Sequence, residues 1–209
     1  MEKYHKIQSV FKRNPETNFK TFLDEFSLPV FDYLKDNIWE FTEKVDGTNI
    51  RIMWNGKEIT IKGKTDKAEL PKPLLEKLNK KKNNLKEKFI KMFGIDKNVC
   101  LYGEGYGVKI QTGGKYRQDQ DVVIFDIKIN NIWIKRKDVE NICENLNFEI
   151  VPIIGYGNLR NMIDIVKEGF KSKWGDFIAE GIVARPLIEL RSQTGRVITK
   201  LKYKDFQKG

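Results

Sequence analysis

The sequence predicts an α+β fold with antiparallel sheets and packed helices. Three observations carry that expectation. Short apolar runs are joined by Asn-Gly and Asn-Asn turn signals. Two helical stripes stand among them. Strands and helices are interspersed without a regular βαβ rhythm. The 209 residues, 40% hydrophobic and 11% aromatic, suit one domain of moderate size with a real core.

The elements follow in chain order. Trp39 and Phe41 lead into EKVDGTNIR (43–51), and Ile50, Ile52 and Trp54 then alternate, so 38–54 reads as one strand passing into another. Asn55-Gly56 before KEITIKGK predicts a type I′ hairpin. Residues 71–92 carry Leu74, Leu78, Leu85, Phe89 and Met92 at roughly helical spacing, with eight lysines against two glutamates. That excess is either a solvated helical face or a phosphate-facing patch. DVVIFDIKI (121–129) is a mostly apolar strand, and Asn130-Asn131 turns it into IWIKR. Val139, Ile142, Cys143 and Leu146 form one helical stripe with Asp138 as N-cap. Leu159, Met162, Ile163 and Val166 form another, between Asn158 as cap and Gly169. EGIVARP and RVITKLKY are the closing strands.

Composition narrows the chemistry. MEKYHKIQ is polar and no run of about 18 apolar residues exists, so neither a signal peptide nor a membrane span is expected. Two cysteines, Cys100 and Cys143, make no disulfide framework and fit an intracellular setting, with Cys143 in the core. The lone histidine, His5, argues against a His-based zinc site or a Ser-His-Asp triad, and Tyr4 beside it reads as surface or minor packing. A net charge of +10 suggests a polyanionic partner, although lysine-rich codon usage gives the same excess.

Certain polar residues interrupt strand-like runs, where charge is costly unless paired or facing a ligand. They are Lys44 and Asp46, Glu104 in LYGEGYG, Glu180 in AEGIVARP, and Lys200 and Lys202 in ITKLKY. Lys200 and Lys202 are two apart and share one strand face. Two ammonium groups there call for an anion between them, and phosphate is the simple answer. Glu104 and Glu180 suit ribose hydroxyls or a divalent metal. Lys44 is the candidate nucleophile toward phosphorus. An ordinary lysine, pKa about 10.4, is nearly all protonated at neutral pH, and burial with cationic neighbours favours the free amine. Gly47 would let backbone approach a nucleotide. Arg185 and Lys109 face either substrate phosphate or solvent.

These residues carry a resemblance. Lys44-Val45-Asp46-Gly47 is similar to the KxDG motif of covalent nucleotidyltransferases: DNA ligases, RNA ligases and mRNA capping enzymes. LYGEGYG, VIFDIK (123–128), EGIVARP and ITKLKYKDF resemble their later motifs in order. EKVDGTN and GEGYGVKIQTGGKYR are most similar to RNA ligases of the double-strand-sealing and RNA-editing type. The resemblance implies the nucleotidyltransferase (ATP-grasp-like) fold. It implies Lys44 as the adenylylated lysine, Lys200 and Lys202 on the α-phosphate, and Glu180 as the metal-associated glutamate. It further implies Glu43 and Asn49 as flanking positions that help hold the nucleotide, Glu104 on ribose and Phe125 stacked on adenine. Asp46, within the motif and beside Gly47, either joins the nucleotide site or only braces the Lys44 loop by hydrogen bonds. Where many relatives carry an arginine after the first hairpin, this chain offers Lys62, Lys64 or Lys67, with Lys64 in KGKT favoured. Lysine and arginine differ at a bidentate phosphate site.

The resemblance implies an ATP-dependent RNA ligase with ATP and Mg²⁺ or Mn²⁺. The alternatives are a small DNA ligase, a capping-type enzyme, or a non-catalytic nucleic-acid-binding module of the same fold. The chain is expected to be a single adenylyltransferase domain over 1–209, without the OB domain that DNA ligases and capping enzymes add, or else a fragment of a longer ligase. RNA is the expected partner, with nicked duplex or RNA/DNA hybrid, a bridged break and free single-stranded ends all left open as its form. No membrane is expected, and a monomer is the favoured state. Small size and lysine richness suggest viral RNA repair, and a cytoplasmic location, the host's in that case.

Overall fold

The structure is a computed structural model and describes residues 3–193 and 195–207. The chain divides into two compact units. One is built from Asp46–Val151 with Lys3 and Tyr4, the other from His5–Val45 and the residues from Pro152 onward. Each contains one principal sheet, and both sheets are mainly antiparallel, so the α+β expectation holds.

In the first unit the strands run in the order Glu149–Ile150, Gln120–Ile129, Val99–Gly107, Thr48–Trp54, Ile59–Lys62, and Ile132–Trp133 pairs with Gln120–Ile129. Only the short Glu149–Ile150 edge is parallel to its neighbour. Alternate residues Ile50, Ile52 and Trp54 meet Val99 and Leu101 on one face. Helices Lys72–Phe93 and Arg136–Leu146 cover that face with Leu74, Leu78, Leu85, Phe89, Val139, Ile142, Cys143 and Leu146, all buried. Gly103 and Gly105 lie on the same face, within a strand rather than a loop. A Cβ on Gly105 would stand 2.6 Å from Leu74 Cδ2, so this glycine lets the long helix lie close, whereas a Cβ on Gly103 would meet Val122 and Val123 of the neighbouring strand. Burial pushes the Cys143 thiol up to about 12 and the Cys100 thiol up to about 11. Cys143 is a core residue.

Two local expectations change. Trp54 pairs with Ile59, so the Asn55-Gly56 hairpin has a four-residue loop rather than a type I′ turn. The Asn55 carboxamide accepts from the backbone of Lys57 and Glu58, both at 2.9 Å, which favours the longer loop. The type I′ geometry appears instead at Asn130-Asn131, with φ of 44° and 70° between paired Ile129 and Ile132. Helix Arg136–Leu146 starts from Lys135, which places Asp138 in its first turn, where it favours the helix dipole, and not at the cap.

In the second unit the order is Gln8–Ser9, Thr199–Lys202, Gly181–Pro186, Trp39–Glu43, Ile153–Gly157. The Gln8–Ser9 edge is parallel and the rest antiparallel. Trp39, Phe41, Ile182, Ala184 and Leu201 form its buried face with Leu159, Met162 and Val166 of helix Leu159–Glu168. Asn158 caps that helix in a reciprocal box with Asn161, and Gly169 ends it at φ 83°. No described helix is long and apolar enough to cross a membrane.

Candidate active site

Lys44 lies one step beyond strand Trp39–Glu43, and its backbone N–H continues the ladder to the Gly181 carbonyl at 2.9 Å. Gly181 in turn pairs with Lys202, so Lys44 and Lys202 flank Gly181 at one level of the sheet. One step along, Thr42 pairs with Val183 and Val183 with Lys200. Period-two alternation then puts Lys44, Lys200 and Lys202 on the face opposite the apolar core. The buried Thr199 and Leu201 and the half-buried lysines between them bear this out.

Glu180 joins the two lysines. Lys44 Nζ donates to Glu180 Oε2 at 2.7 Å, and Lys202 Nζ stands 2.6 Å from Oε1. The three side chains are 19%, 10% and 25% exposed, so the charges are held partly out of water. Oε1 is buried and lacks a hydrogen bond of proper geometry in spite of the nearby ammonium. Such an oxygen remains available to a better-placed cation.

Glu43 points to the other face and is 1% exposed. Its carboxylate accepts from Ser172 Oγ at 2.5 Å and from the Lys173 backbone at 2.8 Å. Burial raises its pKa above the ordinary carboxylate value, and these two donors and the Lys173 charge offset that only in part. Arg185 donates to Glu40 Oε1 at 3.1 and 2.9 Å across the sheet, which ties it to a carboxylate.

The remaining predicted residues belong to the first unit. Asn49 and Glu104 are register partners on the face away from the core, and Asn49 Nδ2 donates to Glu104 Oε2 at 2.7 Å. Phe125 occupies an irregularity in the neighbouring strand: Tyr102 pairs with Asp126 and Gly103 with Ile124, leaving Phe125 unmatched. This bulge shifts the core-facing alternation from Val122 and Ile124 to Ile127 and Ile129, and leaves the Phe125 ring half-buried. Asp46 braces the glycine-rich stretch. Its carboxylate accepts from Thr112 Oγ1 at 2.6 Å and Thr112 N at 3.3 Å, and its backbone donates to Tyr116 Oη at 3.2 Å. A Cβ on Gly47 would fall 2.2 Å from the Gly105 carbonyl oxygen, so the glycine is required by a neighbouring strand's backbone whether or not a nucleotide approaches.

Lys64 lies exposed just past strand Ile59–Lys62. The turn that carries it is clamped by the buried Arg51, which donates to Gly63 O at 2.9 Å and to Asp66 Oδ1 at 2.6 Å. Tyr4 is more than minor packing. Its ring lies 5.0 Å from that of Phe125 and 5.1 Å from that of Tyr102, and its hydroxyl donates to buried Asp126 at 2.9 Å. The sequence reading missed Ser172, Lys173, Thr112, Tyr116 and the role of Tyr4. Only Thr112 and Tyr116 lay in a stretch already singled out.

The lysine–glutamate–lysine array thus belongs to the second unit and the Asn49–Glu104 pair to the first. Residues 37–202 match the RNA ligase family, and the chain belongs to that family. No curated protein matches. Among solved structures, Naegleria gruberi RNA ligase in a variant with AMP and Mn superposes with a TM-score of 0.72 at 18% identity, over 100% of this chain and 58% of the other. The same ligase with PPi gives 0.70 at 18%, over 97% and 56%. A variant with ATP and Mn gives 0.66 at 19%, over 85% and 54%. The chain therefore has the nucleotidyltransferase fold and spans a little over half the length of these structural relatives.

Proposed function

We propose that this chain carries out the nucleotidyl-transfer chemistry of an ATP-dependent RNA ligase. The observation that carries the reading is Lys44 held by Glu180, with Lys202 on the other carboxylate oxygen. In this reading Lys44 Nζ attacks the α-phosphorus of ATP. A nitrogen–phosphorus bond forms, the bond to pyrophosphate breaks, and the amine loses its proton. The AMP then passes to a 5′-phosphate end, and a 3′-hydroxyl displaces AMP and seals the strand. Glu180 orients the amine, and Lys200 and Lys202 offset charge on the α-phosphate.

Glu104, braced by Asn49, takes the ribose hydroxyls, and Phe125 stacks on adenine. Asp46 and Gly47 shape the backbone after the nucleophile, Glu43 braces its strand, and Lys64 contacts substrate phosphate. Magnesium or manganese fits as an ion carried by ATP. Among the described residues no group of three His, Cys, Asp or Glu side chains is placed to hold a metal. Glu180, with its underused Oε1, is the one carboxylate proposed to meet it. The ion would neutralise phosphate charge.

RNA is the proposed polynucleotide, and its backbone charge matches the +10 chain. A panel of nicked RNA duplex, RNA/DNA hybrid, nicked DNA and single-stranded ends with ATP tests the proposal. Sealing of RNA-containing substrates, steeply weakened by salt, is expected. Sealing of DNA alone, or label transferred only from GTP, would move the chain to the rival enzymes. RNA binding without any nucleotidyl transfer would leave a binding module.

A further inference from the structure

Residues 170–179 form a tight hairpin. Ala179 N donates to Phe170 O at 2.9 Å, Lys171 bridges to Ile178, and Ser172 N donates to Phe177 O at 2.8 Å. Its tip, Lys173-Trp174-Gly175-Asp176, is fixed to the nucleophile's own strand. Glu43, the residue before Lys44, receives Ser172 Oγ and Lys173 N, and Ser172 Oγ also accepts from Trp174 N at 3.1 Å. The hairpin then leads directly into Glu180, which holds Lys44. The loop is thus anchored on both sides of the nucleophile. Anchoring of this kind serves little in a plain connection, and it pre-orders whatever the tip presents.

The tip presents an exposed lysine and a half-buried indole. Lys171 is matched by an ion pair to Asp176. Lys173 is exposed, and its ammonium forms no ion pair among the described residues, although its charge acts on the buried Glu43. An ammonium beside an aromatic ring is the pairing that grips a phosphate and its base in single-stranded nucleic acid.

We propose that this tip holds the polynucleotide strand bearing the 5′-phosphate, with Lys173 on a backbone phosphate and Trp174 against a base. The inference rests on the ligase reading and adds a substrate subsite to it. AMP transfer brings two anions to Lys44 in succession, the α-phosphate and then the accepting 5′-phosphate. Lys200 and Lys202 are assigned to the first. Lys173 is the exposed cation tied through Glu43 to the same strand end, and it serves the second.

The test separates charging from transfer. Wild type, Lys173→Ala, Trp174→Ala and Trp174→Phe are charged with α-labelled ATP, then mixed with 5′-phosphate RNA below saturation in a single turnover. Charging should stay within about twofold of wild type, while transfer falls about tenfold in both alanine variants and largely recovers in Trp174→Phe. Lys173→Ala should also reduce the salt slope of RNA binding by about one. Unchanged transfer in Lys173→Ala would overturn the subsite. So would a raised KM for ATP with transfer intact, which would assign the tip to ATP. Wild type that never charges would sink the ligase reading itself, and the subsite with it.

Discussion

Truncating Glu180 to alanine is expected to slow self-adenylylation by about 10²-fold or more in a chain that still folds. Removing one preorganised electrostatic group from a reacting centre typically costs about 10²–10³ in rate. Here the carboxylate does two things at once. It fixes Lys44 Nζ at 2.7 Å and holds Lys202 at 2.6 Å. Without it two ammonium groups face each other unpaired on one face, and the nucleophile loses its orientation. Glu180→Gln should recover little, because an amide keeps the shape but brings no charge and only one acceptor oxygen. Folding should suffer less than activity, since both lysines retain contact with water. Label incorporation from ATP under single-turnover conditions, with thermal unfolding alongside, gives both readouts. Normal labelling in Glu180→Ala would show that the carboxylate is only a surface partner for the lysines.

Alanine at Gly47 is expected to act on the fold. The new Cβ would lie 2.2 Å from the Gly105 carbonyl oxygen and 2.9 Å from Glu104 Cγ. The first obstacle is backbone, so it cannot rotate away. Thr48 pairs with Gly105 and Asn49 with Glu104, so relief requires the two strands to part where the Asn49–Glu104 bond is made. Overpacking of this kind costs about 1–3 kcal/mol, or more where backbone is met. For a chain of this size each kcal/mol lowers the melting temperature by about 2–4 °C. The variant should melt several degrees lower and bind nucleotide more weakly. An unchanged melting temperature would mean that the strand end moves freely, and the packing explanation for Gly47 would fail.

Much of the fold was legible because its signals are local. Helical stripes, Asn158 as a cap and the alternation around Ile50 and Ile52 each depend on residues a few positions apart. The placement of charge against strand pattern was legible in part: Lys200 and Lys202 share a face, as their spacing predicts. The contacts of Glu180 to Lys44 and Lys202 were not foreseen, since the sequence suggested ribose or a metal for that carboxylate. What escaped depends on distant pairing. Glu43 and Ser172 are 129 residues apart, and Asp46 and Thr112 are 66 apart. Tyr4 meets Asp126 across 122 residues. No periodicity marks such partners. The bulge at Phe125 left one trace, since apolar positions slip from even to odd between Ile124 and Ile127, but a nearly continuous apolar run hides the slip. At Asn55-Gly56 the turn signal was read correctly as a hairpin and wrongly as a type, because a side chain that accepts two backbone N–H groups outweighed the dipeptide preference.

The central claim is that Lys44 carries the nucleotide. The direct measurement is incubation with α-labelled ATP and magnesium or manganese, followed by a denaturing gel, with Lys44→Ala and labelled GTP alongside. The account predicts label on the wild-type chain from ATP, resistant to denaturation, and none on Lys44→Ala. Equal label on both chains would place the nucleophile elsewhere. No label on a folded chain free of pre-bound AMP would contradict the account.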